Sequence, residues 1–174
     1  MTTTDHTGQD TQQPAAPQPL PPVDPQIAAF LYLEARLADE GRYSEWEQLW
    51  AEDALYWVPF HPDDDPRRTL SYINDNRRRI HSRVAQLNTG NRHAQTPPSV
   101  MRRLLSNMEL LAQEGDTVSV GSNFALFEYR NQQRIWAGRV LHTVRQGPGG
   151  YSLVSKIVHL TNAQGPVETL AFLI

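Results

Sequence analysis

Residues 43–59, YSEWEQLWAEDALYWVP, constrain the fold more than any other stretch of this chain. They hold three of its four tryptophans within seventeen positions, together with a helix start, a helix stop and the entry to a strand. Ser44 with Glu47 reads as a capping box, each side chain satisfying an orphan backbone N–H of the first turn. Trp46, Leu49 and Trp50 then recur at helical spacing, one apolar stripe on a short helix. Ala51-Glu52-Asp53 ends it, and Leu55, Tyr56, Trp57 and Val58 are strand formers leading to Pro59. A longer helix precedes it: Asp24-Pro25 is a cap followed by a first-turn proline. That helix carries Ile27, Phe30, Leu31, Glu34, Leu37 and Ala38 and stops at Gly41.

Downstream, HPDDDPRR is a loop rich in proline and charge, and residues 69–73 can form a short strand. Asp75 is the expected cap of a third helix with Ile80, Val84 and Leu87 on one face. Pro97-Pro98 forbids helix in the stretch that follows. From Val100 the pattern predicts four antiparallel strands, about 100–112, 116–130, 133–145 and 151–160, separated by Gly- and Asn-containing turns. Residues 168–174 are expected to add an edge strand. Strands this long must coil, which favours a curved half-barrel over a flat sheet. Val118, Val120, Phe124 and Leu126 share a face, whereas Phe127 and Tyr129 fall out of phase, so a bulge or two-sided burial is expected near Ala125. The fold class is α+β: a cone-shaped, curved antiparallel sheet with three helices on its concave face. Residues 24–174 form its single domain.

The 174-residue chain has no cysteine, so its core must hold without disulfides, as suits a reducing cytoplasm. No apolar run is long enough to span a membrane, and the first residues lack the pattern of a secretory signal. Residues 1–23 are Thr, Gln, Pro and Ala with few apolar side chains, a composition expected to stay flexible. Deleting residues 1–20 should therefore leave the melting temperature almost unchanged. A large drop would make that segment an interface arm.

Charge is segregated. Residues 1–66 carry net −11, residues 67–103 net +8, and the remainder is balanced. The basic block is all arginine. It reads as solvated or intrachain-paired charge, as a subunit interface, or as an anion site; the low pI and lack of a lysine stripe argue against nucleic acid. Arg77, Arg102 and Arg103 are the interface candidates, the last two adjacent in a strand and pointing to opposite faces. The strands over 133–160 are apolar on both faces: Ile135, Ala137 and Leu141 against Trp136, Val140 and Val144, then Leu153 and Ile157 against Val154, Val158 and Leu160. Three helices cover one face only, so oligomerisation is expected, with Trp136 at the interface.

An enzymatic reading would recruit Tyr56, His61, Asp63, Asp64, Asp65 and His93 as acid–base groups. For each, the plainer role is structural: solvated loop carboxylates, turn contacts, a core tyrosine. His142 and His159 lie in strands, where satisfied structural roles are expected. A small hydrophobic ligand in the cone is a third possibility.

The order of elements is similar to the cone folds of the nuclear-transport-factor and ketosteroid-isomerase type. More narrowly, ADEGRYSEWEQLWAEDALYWVP, YINDNRRRIHSRVAQLNTGNRHAQTPPSVMRRLLSNMEL, VGSNFALFEYR, WAGRVLHTV and YSLVSKIVHL resemble, in this order, the small (β) subunits of aromatic-ring-hydroxylating dioxygenases. The resemblance implies a non-catalytic subunit that braces a large chain. That large chain would hold a Rieske [2Fe–2S] cluster and a mononuclear iron and dihydroxylate an aromatic compound. It further implies a homotrimer within a hetero-hexamer, and no cofactor in this chain. Without cysteine the chain cannot supply a Cys2His2 cluster site, and its six histidines show no facial-triad spacing.

Overall fold

The computed structural model describes residues 18–89 and 98–174. Helix α1 (Pro25–Asp39) begins as the sequence predicts, with Asp24 Oδ1 accepting the Gln26 N–H at 2.7 Å. It ends in a Schellman turn: Gly41 takes φ 69° and Arg42 N–H reaches back to the Leu37 carbonyl at 2.9 Å. Helix α2 (Tyr43–Gln48) departs from expectation. Its cap position is Arg42 with no side-chain cap bond, so the Ser44–Glu47 capping box does not form. Ser44 Oγ instead accepts from Asn88 Nδ2 at 3.0 Å, and Glu47 pairs with Arg77 and His81. Tertiary partners outbid the local cap.

Strand β1 (Trp50–Pro59) starts earlier than the helical stripe suggested, because Trp50 pairs with Leu153. It turns through residues 60–70 into β2 (Ser71–Asn76). Helix α3 (Arg77–Asn88) buries Ile80, Val84 and Leu87 as expected, but its cap is Asn76, whose Oδ1 accepts from Arg79 N at 3.1 Å. Asp75 is one residue too early, and its carboxylate turns inward to Arg83.

Strands β3 (Val100–Glu114), β4 (Thr117–Tyr129), β5 (Gln133–Gly147) and β6 (Gly150–Leu160) match the four expected ones. The sheet order is β2-β1-β6-β5-β4-β3. All pairs are antiparallel except β1 with β6, which run parallel. No bulge forms near Ala125, since β4 pairs with β5 without a break and the register shifts lie at residues 106–112 of β3; Ala125 and Phe127 are instead half-buried on the opposite face from Phe124 and Leu126. Residues 168–174 form no strand. They run into the core instead, burying Leu170, Phe172, Leu173 and Ile174.

The three helices close the concave face, where Leu31, Trp46, Tyr56, Ile80, Leu126, Leu153 and Val158 pack at 0% exposure. Trp46, Trp50 and Tyr56 meet at ring-centroid distances of 5.1–5.9 Å. An aromatic of this size contributes about 5 kcal/mol of gross burial, so this cluster anchors α2 to the sheet.

Candidate subunit surfaces and the buried charge cluster

The residues with the strongest chemistry lie inside the cone. Glu34 faces inward from α1 and Lys156 from β6; their side chains are each 2% exposed and 2.8 Å apart. Trp46 Nε1 donates to the same carboxylate oxygen at 2.7 Å. Burial alone would raise the Glu34 carboxyl, but Lys156, with Arg103 and His142 further off, outweighs it and holds the group down at about 2. Burial also draws the Lys156 ammonium below its ordinary value, more than Glu34 gives back. A second internal pair stands beside the first: Arg103 Nε lies 2.7 Å from Asp39 Oδ1, and its Nη2 donates to the Leu173 carbonyl at 2.8 Å.

His142 faces Lys156 directly across the β5–β6 pair. It is 1% exposed, and among the described residues neither ring nitrogen has a hydrogen-bond partner, so the satisfied role expected for it is not what the structure shows. Burial pushes its imidazole from 6.5 down to about 4. Between those values the unfolded chain binds a proton that the folded chain refuses, so stability is complete above pH 6.5 and falls as pH drops toward 4. His142→Phe should flatten denaturation midpoints across that window. An unchanged pH slope would show that other groups carry it.

The sequence candidates for acid–base work are not brought together. Tyr56 is fully buried; its hydroxyl donates to the Ile174 carbonyl and accepts the Ile174 N–H, both at 2.9 Å, and burial raises its phenol to about 12. His61 and Asp63 are exposed in the β1–β2 turn, where Asp64 and Asp65 accept backbone N–H groups of His61 and Arg67. His93 lies outside the described residues. Among those residues no group of three or more His, Cys, Asp or Glu could hold a metal ion, and the chain does not fit the ligand set of a Rieske cluster.

Part of the arginine block is taken up within the chain, while Arg67, Arg68, Arg78 and Arg79 stay exposed. Arg77 pairs with Glu47 at 2.7 Å, Arg79 donates to the Asn74 carbonyl, Arg83 binds Asp75, and Arg103 is consumed by Asp39. Trp136 is also internal: it stacks edge-on against Phe172 and donates to Glu128 at 2.9 Å. Arg102 alone of the four interface candidates is exposed. It sits on the outer face of the sheet within an apolar patch of Val100, Leu104, Tyr129 and Ile135, each 57–62% exposed. The rest of that face is less apolar than its alternation suggested. Arg139 reaches Glu109 across it, and Ser155 donates to Thr143 at 2.8 Å.

Sequence reasoning missed the internal cluster, although two signals were present. Glu34 stands on the apolar stripe of α1, and Lys156, the chain's one lysine, sits in a buried strand.

The family model for the ring hydroxylating beta subunit matches residues 33–164. The chain belongs to the ring-hydroxylating dioxygenase β-subunit family. A β subunit of 3-phenylpropionate/cinnamic acid dioxygenase from Photorhabdus laumondii is 33% identical over 71% of this chain and 74% of that protein. The small subunit of 2-halobenzoate 1,2-dioxygenase from Burkholderia cepacia is 28% identical over 78% of this chain and 87% of its own length. Among solved structures, the β subunit of benzoate 1,2-dioxygenase from Burkholderia mallei superposes with a TM-score of 0.73 at 25% identity, covering 88% of this chain and all of that one. A candidate scytalone dehydratase from Novosphingobium aromaticivorans (TM-score 0.57, 14% identity, 78% of this chain and 82% of that one) shares the cone fold alone. As a ring-hydroxylating β subunit, the chain is the small subunit of an oxygenase whose large subunit is its partner. Among the described residues no helix is long and apolar enough to cross a membrane.

Proposed function

We propose that this small subunit is non-catalytic and braces a large chain that carries both the Rieske [2Fe–2S] cluster and the mononuclear iron. The working assembly is three large and three small chains in the cytoplasm, acting on an aromatic compound in catabolism. The observation that carries this reading is the disposition of the chain's reactive groups. Glu34, Lys156 and Tyr56 are buried and bonded internally, while the exposed feature is an apolar patch around the guanidinium of Arg102, which donates to the Met101 carbonyl and is paired with no carboxylate among the described residues. Relatives named for dioxygenases of aromatic acids support the substrate class. An arginine in such a patch can pair with a partner carboxylate in a strong, oriented contact.

Co-purification with the large chain tests this. The isolated chain should contain no iron, show no visible absorption, oxidise no arene and scatter light as a trimer. Turnover should appear only in the reconstituted complex. Arg102→Glu should weaken co-purification by at least about tenfold, as expected for reversing a buried interface pair. Arene turnover by the isolated chain that survives metal chelation, or a monodisperse monomer, would overturn the reading.

A further inference from the structure

The cone interior contains more hydrogen-bonding capacity than the described chain uses. In register across the concave face stand Val120, His142, Lys156, Tyr56 and Asp75, one residue from each of five strands. Ser122 lies one diagonal step from His142 on the same face. Lys156 and Tyr56 are engaged, but His142 Nδ1 and Nε2, Ser122 Oγ and Trp50 Nε1 have no partner among the described residues, and all are buried. Each buried polar atom left unpaired costs about 1–3 kcal/mol, so several in one core point to a partner from outside the chain.

One wall of this interior is not part of the sheet. Residues 170–174 make no strand ladder. They are held by Tyr56 on Ile174, by Arg103 on Leu173 and by Phe172 against Trp136. Upstream, Arg134 ties Glu168 at 2.9 Å on the surface. Moving this segment breaks no sheet hydrogen bond; it costs the Tyr56 and Arg103 bonds and the burial of Leu170, Phe172, Leu173 and Ile174.

We propose that the cone interior is a binding site for a small neutral hydroxyarene, closed at its mouth by residues 170–174. The chemistry selects this class. Trp46, Trp50 and Tyr56 supply aromatic walls. The charges nearest His142 already cancel, as Glu34 with Lys156, Asp39 with Arg103 and Asp75 with Arg83, so a further net charge would be unbalanced. A neutral imidazole both donates and accepts, as does a serine hydroxyl, and a phenolic O–H can answer both. This site lies within the small subunit and does not depend on how that subunit meets its partner.

The full chain is titrated with phenol, and with toluene as the isostere that lacks the hydroxyl, while His142 imidazole 15N shifts and tryptophan fluorescence are followed. Phenol should move the His142 resonances and toluene should not. Phe172→Ala, which loosens the closing segment, should tighten phenol binding by at least about tenfold. In a Phe172→Ala/His142→Phe chain the preference for phenol over toluene should disappear while toluene still binds. If phenol leaves the His142 shifts of the wild-type and loosened chains untouched, water alone satisfies these groups and the proposal fails. Equal binding of phenol and toluene by the Phe172→Ala chain overturns it as well.

Discussion

Lys156→Met should destabilise the isolated chain by about 3–5 kcal/mol, because it strands the Glu34 carboxylate in the core with a single remaining donor, Trp46. Chemical denaturation at pH 7 measures it. Adding Glu34→Gln should recover much of the loss, since the amide oxygen still accepts from Trp46 and no net charge stays buried. A double variant as unstable as the sum of the singles would show that the pair does not act as a unit. The same carboxyl sets an acid limit. Its folded value of about 2 lies below the ordinary 4.5, so its contribution is complete above pH 4.5 and drains away as pH falls toward 2. In the Lys156→Met chain that window should shrink, because the attraction holding the carboxyl down is gone.

Gly138→Ala should be the other severe substitution. A β-carbon there would lie 2.0 Å from the carbonyl oxygen of His159, a backbone atom of the paired strand that cannot rotate away. Forcing β5 and β6 apart is expected to cost about 3 kcal/mol or more, at the upper end of overpacking penalties. Gly121→Ala is the informative comparison. Its β-carbon would meet Arg139 Nη2 at 2.5 Å, the end of a flexible side chain. It should cost under about 1 kcal/mol, mostly by disturbing the partly exposed Arg139–Glu109 pair. Thermal melts of the two variants side by side decide the matter. Equal losses would mean that the close β5–β6 approach at Gly138 relaxes freely.

What the order of residues determined by itself was the inventory of elements and much of the burial. Periodicity marks Ile27, Phe30 and Leu31 on α1 and Ile80, Val84 and Leu87 on α3, because one face of a helix meets the core every third or fourth residue. Alternation and turn residues mark the four long strands. Contiguous motifs were enough to point to the β-subunit family, since their order survives even where identity is low. Three things were decided only in the tertiary structure. Caps went to whichever donor or acceptor the fold placed nearby: Ser44 was captured by Asn88 and Glu47 by Arg77, partners 44 and 30 residues away, which no local rule weighs. The apolar residues 168–174 read as a strand, but the space they fill is core beneath Tyr56 and Trp136, and the choice between edge and core depends on what the helices leave uncovered. The arginine block left intrachain pairing and a docking surface both open; Arg77, Arg83 and Arg103 face Glu47, Asp75 and Asp39, and only Arg102 of the interface candidates is left outside. A charge is committed inward or outward by the carboxylate that folding brings to it, and those carboxylates come from distant helices and strands.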